Sequence, residues 1–269
     1  MLKWFFVLLL MTLLSVFGDG RQTDLPAEEQ QTEATLDDEE YYTVEDLLPA
    51  PLDDTPEQLL ERTAYTASYN EATRLPNWVA WLLTADHANG TLKRPGRAYH
   101  EDQEVPLPRA TDADYRGSGY DRGHMCPAGD NKWDAEAMYE TFLMTNMCPQ
   151  NARLNSGDWN EIEMACRRWA RKYGEVFIVC GPILMNRQHA TIGKNRVVVP
   201  EAFFKVVLCL NGEPKGIGFV CRNTDGNRPK DLYVNTIAQV ERITGLRFFQ
   251  NLDLEVAEQV KSVADLDAW

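Results

Sequence analysis

No apolar stretch in this chain reaches the roughly 20 residues that a helix needs to cross a bilayer; the longest, residues 4–17, gives way to Gly18-Asp19-Gly20. The six cysteines include no Cys-x-x-Cys pair and no Cys/His cluster at zinc spacing, which argues against a structural zinc site. No segment recurs at a solenoid period. Aromatic-rich RNA-recognition motifs and zinc fingers are missing, so nothing points to base-specific reading. Histidine is scarce as well: His87, His100, His124 and His189 are the only candidates for imidazole chemistry.

What is present begins with Lys3, the apolar run and the small residues after it, the layout of an export signal over residues 1–20. That layout predicts an exported protein, secreted or periplasmic, with a retained membrane anchor as the weaker reading. From Asp19 to Arg62, fifteen acidic residues stand against Arg21 and Arg62. Such a segment repels itself and has little to bury, so residues 21–62 read as a disordered acidic linker. The charge of −14 misleads about the remainder: setting aside that stretch and Lys3 leaves 26 acidic and 24 basic residues, nearly neutral. Residues 63–269 are enough for one domain with a full core, and a local basic groove is compatible with their balance.

Strands are expected near 64–69, 78–84, 176–180, 196–199, 203–210 and 217–221, where β-branched and aromatic residues lie between Gly, Pro or Asn. Helices are expected near 134–139, 157–173 and 232–244. The middle one is clearest, because Trp159, Ile162, Cys166, Trp169, Ala170 and Tyr173 form one stripe at helical spacing and Gly174 offers a stop. An even cysteine count permits bridges, and Cys209 and Cys221 flank an expected hairpin; small buried thiols are the equally good alternative.

Polar residues on the middle helix carry the chemistry. Asn155 stands at its start, Glu163 follows slightly over two turns later, and Arg167 is placed to pair with Glu163 at i, i+4. Taken singly, Asn155 is a good helix N-cap and the pair a solvated ion pair. Upstream, Asp121-Arg122-Gly123-His124 adds an imidazole able to take a proton from water at neutral pH.

Three blocks together, Asp121-Arg122-Gly123-His124-Met125-Cys126-Pro127-Ala128-Gly129, Thr145-Asn146-Met147-Cys148-Pro149-Gln150, and Leu154-Asn155-Ser156-Gly157-Asp158-Trp159 running on to Glu163 and Arg167, resemble the sugar-nonspecific DNA/RNA endonucleases that include endonuclease G. The resemblance extends from about Ala64 to about Phe249. It implies an α+β fold, with a central antiparallel β-sheet flanked by helices and a ββα-metal (His-Me) finger. It further implies His124 as general base and Asn155 as the single protein ligand of Mg²⁺, with Mn²⁺ or another divalent cation as substitutes. Glu163 would hold a metal-bound water. Asn146 matches an active-site asparagine, and Gln150 a supporting polar residue. Arg122 and Arg167 match substrate-facing or bracing arginines. Arg97 fits the family's upstream arginine best, with Arg94 as second choice. Asp121 and Gly123 read as structural. DNA and RNA are the implied substrates, gripped through their backbone and cut to 5′-phosphate products, with no stable membrane insertion. A hydrolase of small phosphodiesters is the runner-up, since the motifs do not measure substrate length. A catalytically silent binding module is disfavoured by the presence of His124, Asn155 and Glu163 together.

Overall fold

A computed structural model describes residues 42–96, 99–224 and 226–269. The expected leader and most of the linker lie outside the described residues, as does Arg97. In chain order the strands are β1 (Gln58–Glu61), β2 (Thr66–Asn70), β3 (Leu75–Thr84), β4 (Asp121–His124), β5 (Met147–Gln150), β6 (Glu175–Ile183), β7 (Thr191–Ile192), β8 (Val197–Val198), β9 (Ala202–Cys209), β10 (Lys215–Arg222) and β11 (Val234–Asn235). The helices are α1 (Ala85–Ala88), α2 (Asp112–Tyr115), α3 (Ala135–Glu140), α4 (Ala152–Leu154), α5 (Asn160–Tyr173), α6 (Ile237–Thr244) and α7 (Leu254–Ser262). Seven strands make one sheet in the order β1-β2-β3-β6-β9-β10-β11, every pair antiparallel, while β4 with β5 and β7 with β8 form separate two-stranded pairs.

The central strands are buried on both faces, which is why they read as continuous apolar runs. Alternation sorts their side chains into two cores. Val79, Trp81, Ile178, Cys180, Phe203, Val207, Ile217 and Phe219 face one core together with Trp159, Ile162, Cys166 and Trp169. Trp78, Ala80, Phe177, Val179, Phe204 and Val206 face the other, with Val240, Phe248, Phe249 and Val260. Each fully buried side chain of this size contributes about 1.5–3 kcal/mol. The α+β class holds, and α5, whose Ile162, Cys166 and Trp169 pack in the first core, also carries Glu163 and Arg167.

The folded body starts earlier than residue 63. β1 pairs with β2, Leu60 is buried, and Leu47 sits in the second core with Val44 and Leu52 packed against it. Averaging charge over residues 21–62 conceals these apolar residues in its second half. The cysteines are all free and buried. Cys209 pairs in register with Lys215 and Cys221 with Phe203, so the β9–β10 hairpin sets the two at opposite ends and not face to face. The expected helix at 232–244 starts only at Ile237, because Thr236 and Gln239 close a reciprocal capping box there.

Candidate active site

The finger begins with β4, whose residues Asp121–His124 pair with Gln150–Met147 of β5. Gly123 is required by close approach, since a Cβ there would lie 2.2 Å from Gln150 Oε1. Immediately after His124 the chain is locked by Asn146: Cys126 N donates to its Oδ1 at 2.9 Å, and its Nδ2 donates to the carbonyls of Cys126 and Thr141 at 2.8 and 2.9 Å. Asn146 is fully buried, so the structure places it behind the site as a brace. Gln150, also fully buried, sits against the Gly123 backbone.

His124 stands edge-on to Phe142, with centroids 5.1 Å apart, and 6.2 Å from Tyr99. Burial, aided by the Arg94 charge, holds its pKa down to about 3 against the pull of a hydrogen bond to the Arg122 carbonyl. The imidazole is therefore neutral at physiological pH, and its buried Nε2 has no hydrogen-bond partner among the described residues. A lone pair so placed is ready to accept a proton.

The helix that follows does not start at Asn155. Asn151 is the N-cap, accepting from Arg153 N and Leu154 N, and Asn155 N already donates to Asn151 O at 2.9 Å. A wide turn over residues 155–159, kinked at Gly157 (φ −101°, ψ −111°), joins α4 to α5. Asn155 is thereby relieved of capping. Its Nδ2 donates to Asp121 Oδ2 at 3.0 Å, which fixes the amide and leaves Oδ1 as the oxygen to offer a ligand. Asp121, expected to be purely structural, thus orients the candidate metal ligand.

Asn155, Glu163, His124, Arg122 and Arg167 all line one cleft of about 1310 Å³, with Arg94, Arg116 and Lys132 on its walls. Its charged side chains are five cations and the carboxylates of Asp112, Asp121 and Glu163, a net positive lining in a chain of charge −14. Arg122 is ion-paired with Asp112 at 2.6 Å and held between the Tyr99 and Tyr115 rings at 5.1 and 5.4 Å. Arg167, expected to pair with Glu163, instead donates to Asp130 Oδ1 at 2.6 Å. Gly129 makes room for it, since a Cβ there would lie 2.7 Å from the guanidinium. Arg94, the second choice for the upstream arginine, lies in the cleft wall with its guanidinium 5.2 Å from the Phe142 ring. Sequence reasoning passed over Lys132 and Asp112; neither belongs to a motif, and only the fold brings them to the cleft.

Glu163 is pushed up to about 7, chiefly by burial, which Lys205, Arg167 and Arg94 oppose and Asp130 reinforces. A carboxyl whose folded pKa exceeds its ordinary 4.5 favours the folded state most when protonated; that contribution is complete below about 4.5 and is lost as pH rises through about 7. Glu163→Gln removes the penalty of ionisation, up to about 3 kcal/mol. The variant should match the native protein in Tm near pH 4.5 and exceed it by several degrees at pH 8. Parallel Tm curves across that range would show that Glu163 is not strained by ionisation.

A family model for DNA/RNA non-specific endonucleases matches residues 50–255. The mitochondrial endonuclease G of Bos taurus is 36% identical over 209 residues, spanning 72% of this chain and 70% of its own. The mitochondrial nuclease EXOG of Xenopus laevis is 35% identical over 222 residues, 76% of this chain and 61% of its own. A solved structure of EndoG in complex with EndoGI shares the fold with a TM-score of 0.72 at 27% identity, covering 82% of this chain and 95% of that one. Relatives named as mitochondrial overturn the expectation of a secreted or periplasmic protein. Among the described residues no helix is long and apolar enough to cross a membrane.

Proposed function

The chain belongs to the DNA/RNA non-specific endonuclease family and is an endonuclease; on that premise we propose that it hydrolyses DNA and RNA with the aid of a divalent cation, Mg²⁺ first, using His124 as base. The observation that carries this reading is the convergence of the unpartnered His124 Nε2, the Asp121-oriented Asn155 and Glu163 on one positively lined cleft. The names of the relatives favour a mitochondrial setting.

The residues suit a hard cation that keeps most of its waters: one neutral amide oxygen from Asn155, and Glu163 on the same wall to accept hydrogen bonds from water beside it. Among the described residues no cluster of three His, Cys, Asp or Glu offers a cage for an ion that sheds its shell. When bound, the cation supplies positive charge against the phosphoryl and departing oxygens. The protein's own part is to draw the phosphodiester in with Arg94, Arg122 and Arg167, whose forks suit phosphate oxygens. His124 Nε2 then takes the proton of the attacking water, and the walls hold the backbone without reading bases.

Polymers fit better than small phosphodiesters, because the cleft exceeds the roughly 300–1,000 Å³ typical of small-molecule pockets. The test incubates the purified protein with supercoiled plasmid, structured RNA and a model aryl phosphodiester, with Mg²⁺ and after chelation. Nicking and degradation of both polymers should stop on chelation and resume on re-addition of the ion. Undiminished cleavage after exhaustive chelation would remove the metal, and preference for the aryl ester would replace the substrate.

A further inference from the structure

Lys205 occupies an improbable place. It lies in the middle of β9, where every residue is buried, with Cys180 of β6 on one side in register and Phe219 of β10 on the other. Alternation with Phe203 and Val207 turns it toward the core beneath the cleft. Its side chain is wholly inaccessible, and among the described residues Nζ has no oxygen partner. Instead it sits 4.5 Å from the Trp159 ring centroid and 4.9 Å from that of Trp81. Burying an ammonium costs several kcal/mol, whereas methionine would fill the same space at no such cost. Packing alone does not account for a lysine here; two aromatic faces offset part of the cost, and negative charge nearby must offset the rest.

That charge comes from the cleft floor. Lys205 faces Cys180 from β6, Glu163 and Cys166 from α5, and Asp130 from the turn over residues 128–130, and its pKa is raised despite desolvation; the two thiols, pushed up by burial to about 11 and about 12, are uncharged at neutral pH, so the negative charge comes from Glu163 and Asp130. Glu163 is faced by Lys205 from beneath, by Asp130, by Arg167 on its own helix and by Arg94 from the cleft wall. Arg167 is already engaged by Asp130 at 2.6 Å, and Arg94 is exposed, where water and salt screen it. Lys205 is the shielded cation of the set, and of all these groups it works hardest against the neutralisation of Glu163.

We propose that Lys205 is a positioning residue of the nuclease site: a buried counter-charge that holds the Glu163 carboxylate ionised, and so able to accept hydrogen bonds, from below the cleft floor. The inference rests on the role assigned to Glu163 above, yet the coupling itself can be read without catalysis.

Carboxyl ¹³C NMR of metal-free protein should show Glu163 titrating at least one pH unit higher in Lys205→Met and Lys205→Gln than in the native chain, and near its native position in Lys205→Arg. In the neutral variants the acid limb of kcat/KM on plasmid should move up with it, giving a loss of about fivefold or more at pH 7 that is recovered by pH 9. If those variants fail to fold, Glu163→Gln supplies the reciprocal reading, since coupling is mutual: the ¹³Cε signal of Lys205 should titrate at least one unit lower than in the native protein. An unmoved titration in a folded variant, or an activity loss equal at every pH, overturns the proposal. A native protein without nuclease activity would count against the functional reading while leaving the titrations to decide the coupling.

Discussion

His124→Ala is expected to lower kcat by roughly 10²–10⁴-fold, the range for loss of a general base, with KM close to native. The imidazole is fixed against Phe142 and Tyr99 and tethered by the Arg122 carbonyl, so only Nε2 is left for chemistry. Substrate binding falls to the arginines around it, which the substitution leaves in place. The ring stays neutral down to about pH 3, so its protonation does not set the acid limb of activity. That limb should follow Glu163 and fall as pH drops through about 7. Steady-state rates on a labelled oligonucleotide, from pH 5 to pH 9, decide both points. A variant within tenfold of native kcat would exclude His124 as the base, and a limb centred well below pH 6 would exclude Glu163 as the group behind it.

Asn155→Ala should lose at least 10²-fold in rate while Asn151→Ala, four residues earlier, loses less than tenfold, although the two cost similar stability. Asn151 caps α4 through two backbone N–H groups, and such a cap is worth about 1 kcal/mol. Asn155 gives up one hydrogen bond to Asp121, also about 1 kcal/mol, so either change should lower Tm by only a few degrees. The rates separate them, because only Asn155 presents an oxygen to the cleft. Equal rate losses in the two variants would mean that Asn155 serves the helix and the cation is held elsewhere. Isothermal titration with Mg²⁺ gives the same contrast without turnover: binding should weaken in Asn155→Ala and persist in Asn151→Ala.

The readable parts of the sequence were those where one physical signal dominates. The α5 stripe from Ile162 to Ala170 repeats at helical spacing and ends at Gly174 with φ 91°, so neither tertiary context nor a rival pattern disguises it. Strands β6, β9 and β10 are apolar on both faces and announce themselves as runs. By contrast, β4 and β5 carry Asp121, Arg122, His124, Pro149 and Gln150, and their pairing expresses the needs of the site more than strand propensity. The helix start is misplaced when Asn155 is taken as the cap, because Asn151, as good a capping residue one turn earlier, takes the hydrogen bonds and Asn155 turns to Asp121. Arg167 faced two carboxylates, one at i−4 and one distant in sequence, and the fold gives it the distant Asp130. Lys205, alone among apolar neighbours in Ala202–Cys209, is what a solvent-facing strand residue looks like until the layer packed on its own face is known.

The desolvation of His124 and Glu163 in one cleft inverts their order of proton affinity. In water an imidazole outcompetes a carboxylate by about two units; in this protein the carboxyl at about 7 outcompetes the imidazole at about 3. Between about pH 4.5 and 6.5 the unfolded chain holds that single proton on the histidine and the folded chain holds it on the glutamate. Folding therefore transfers a proton between residues without taking one from solvent. The pair's two pH dependences cancel across that window, and the site is an uncharged tautomer of the zwitterion that the same two side chains form when free. One deprotonation near neutrality then arms it, leaving a free imidazole lone pair and a carboxylate in place together.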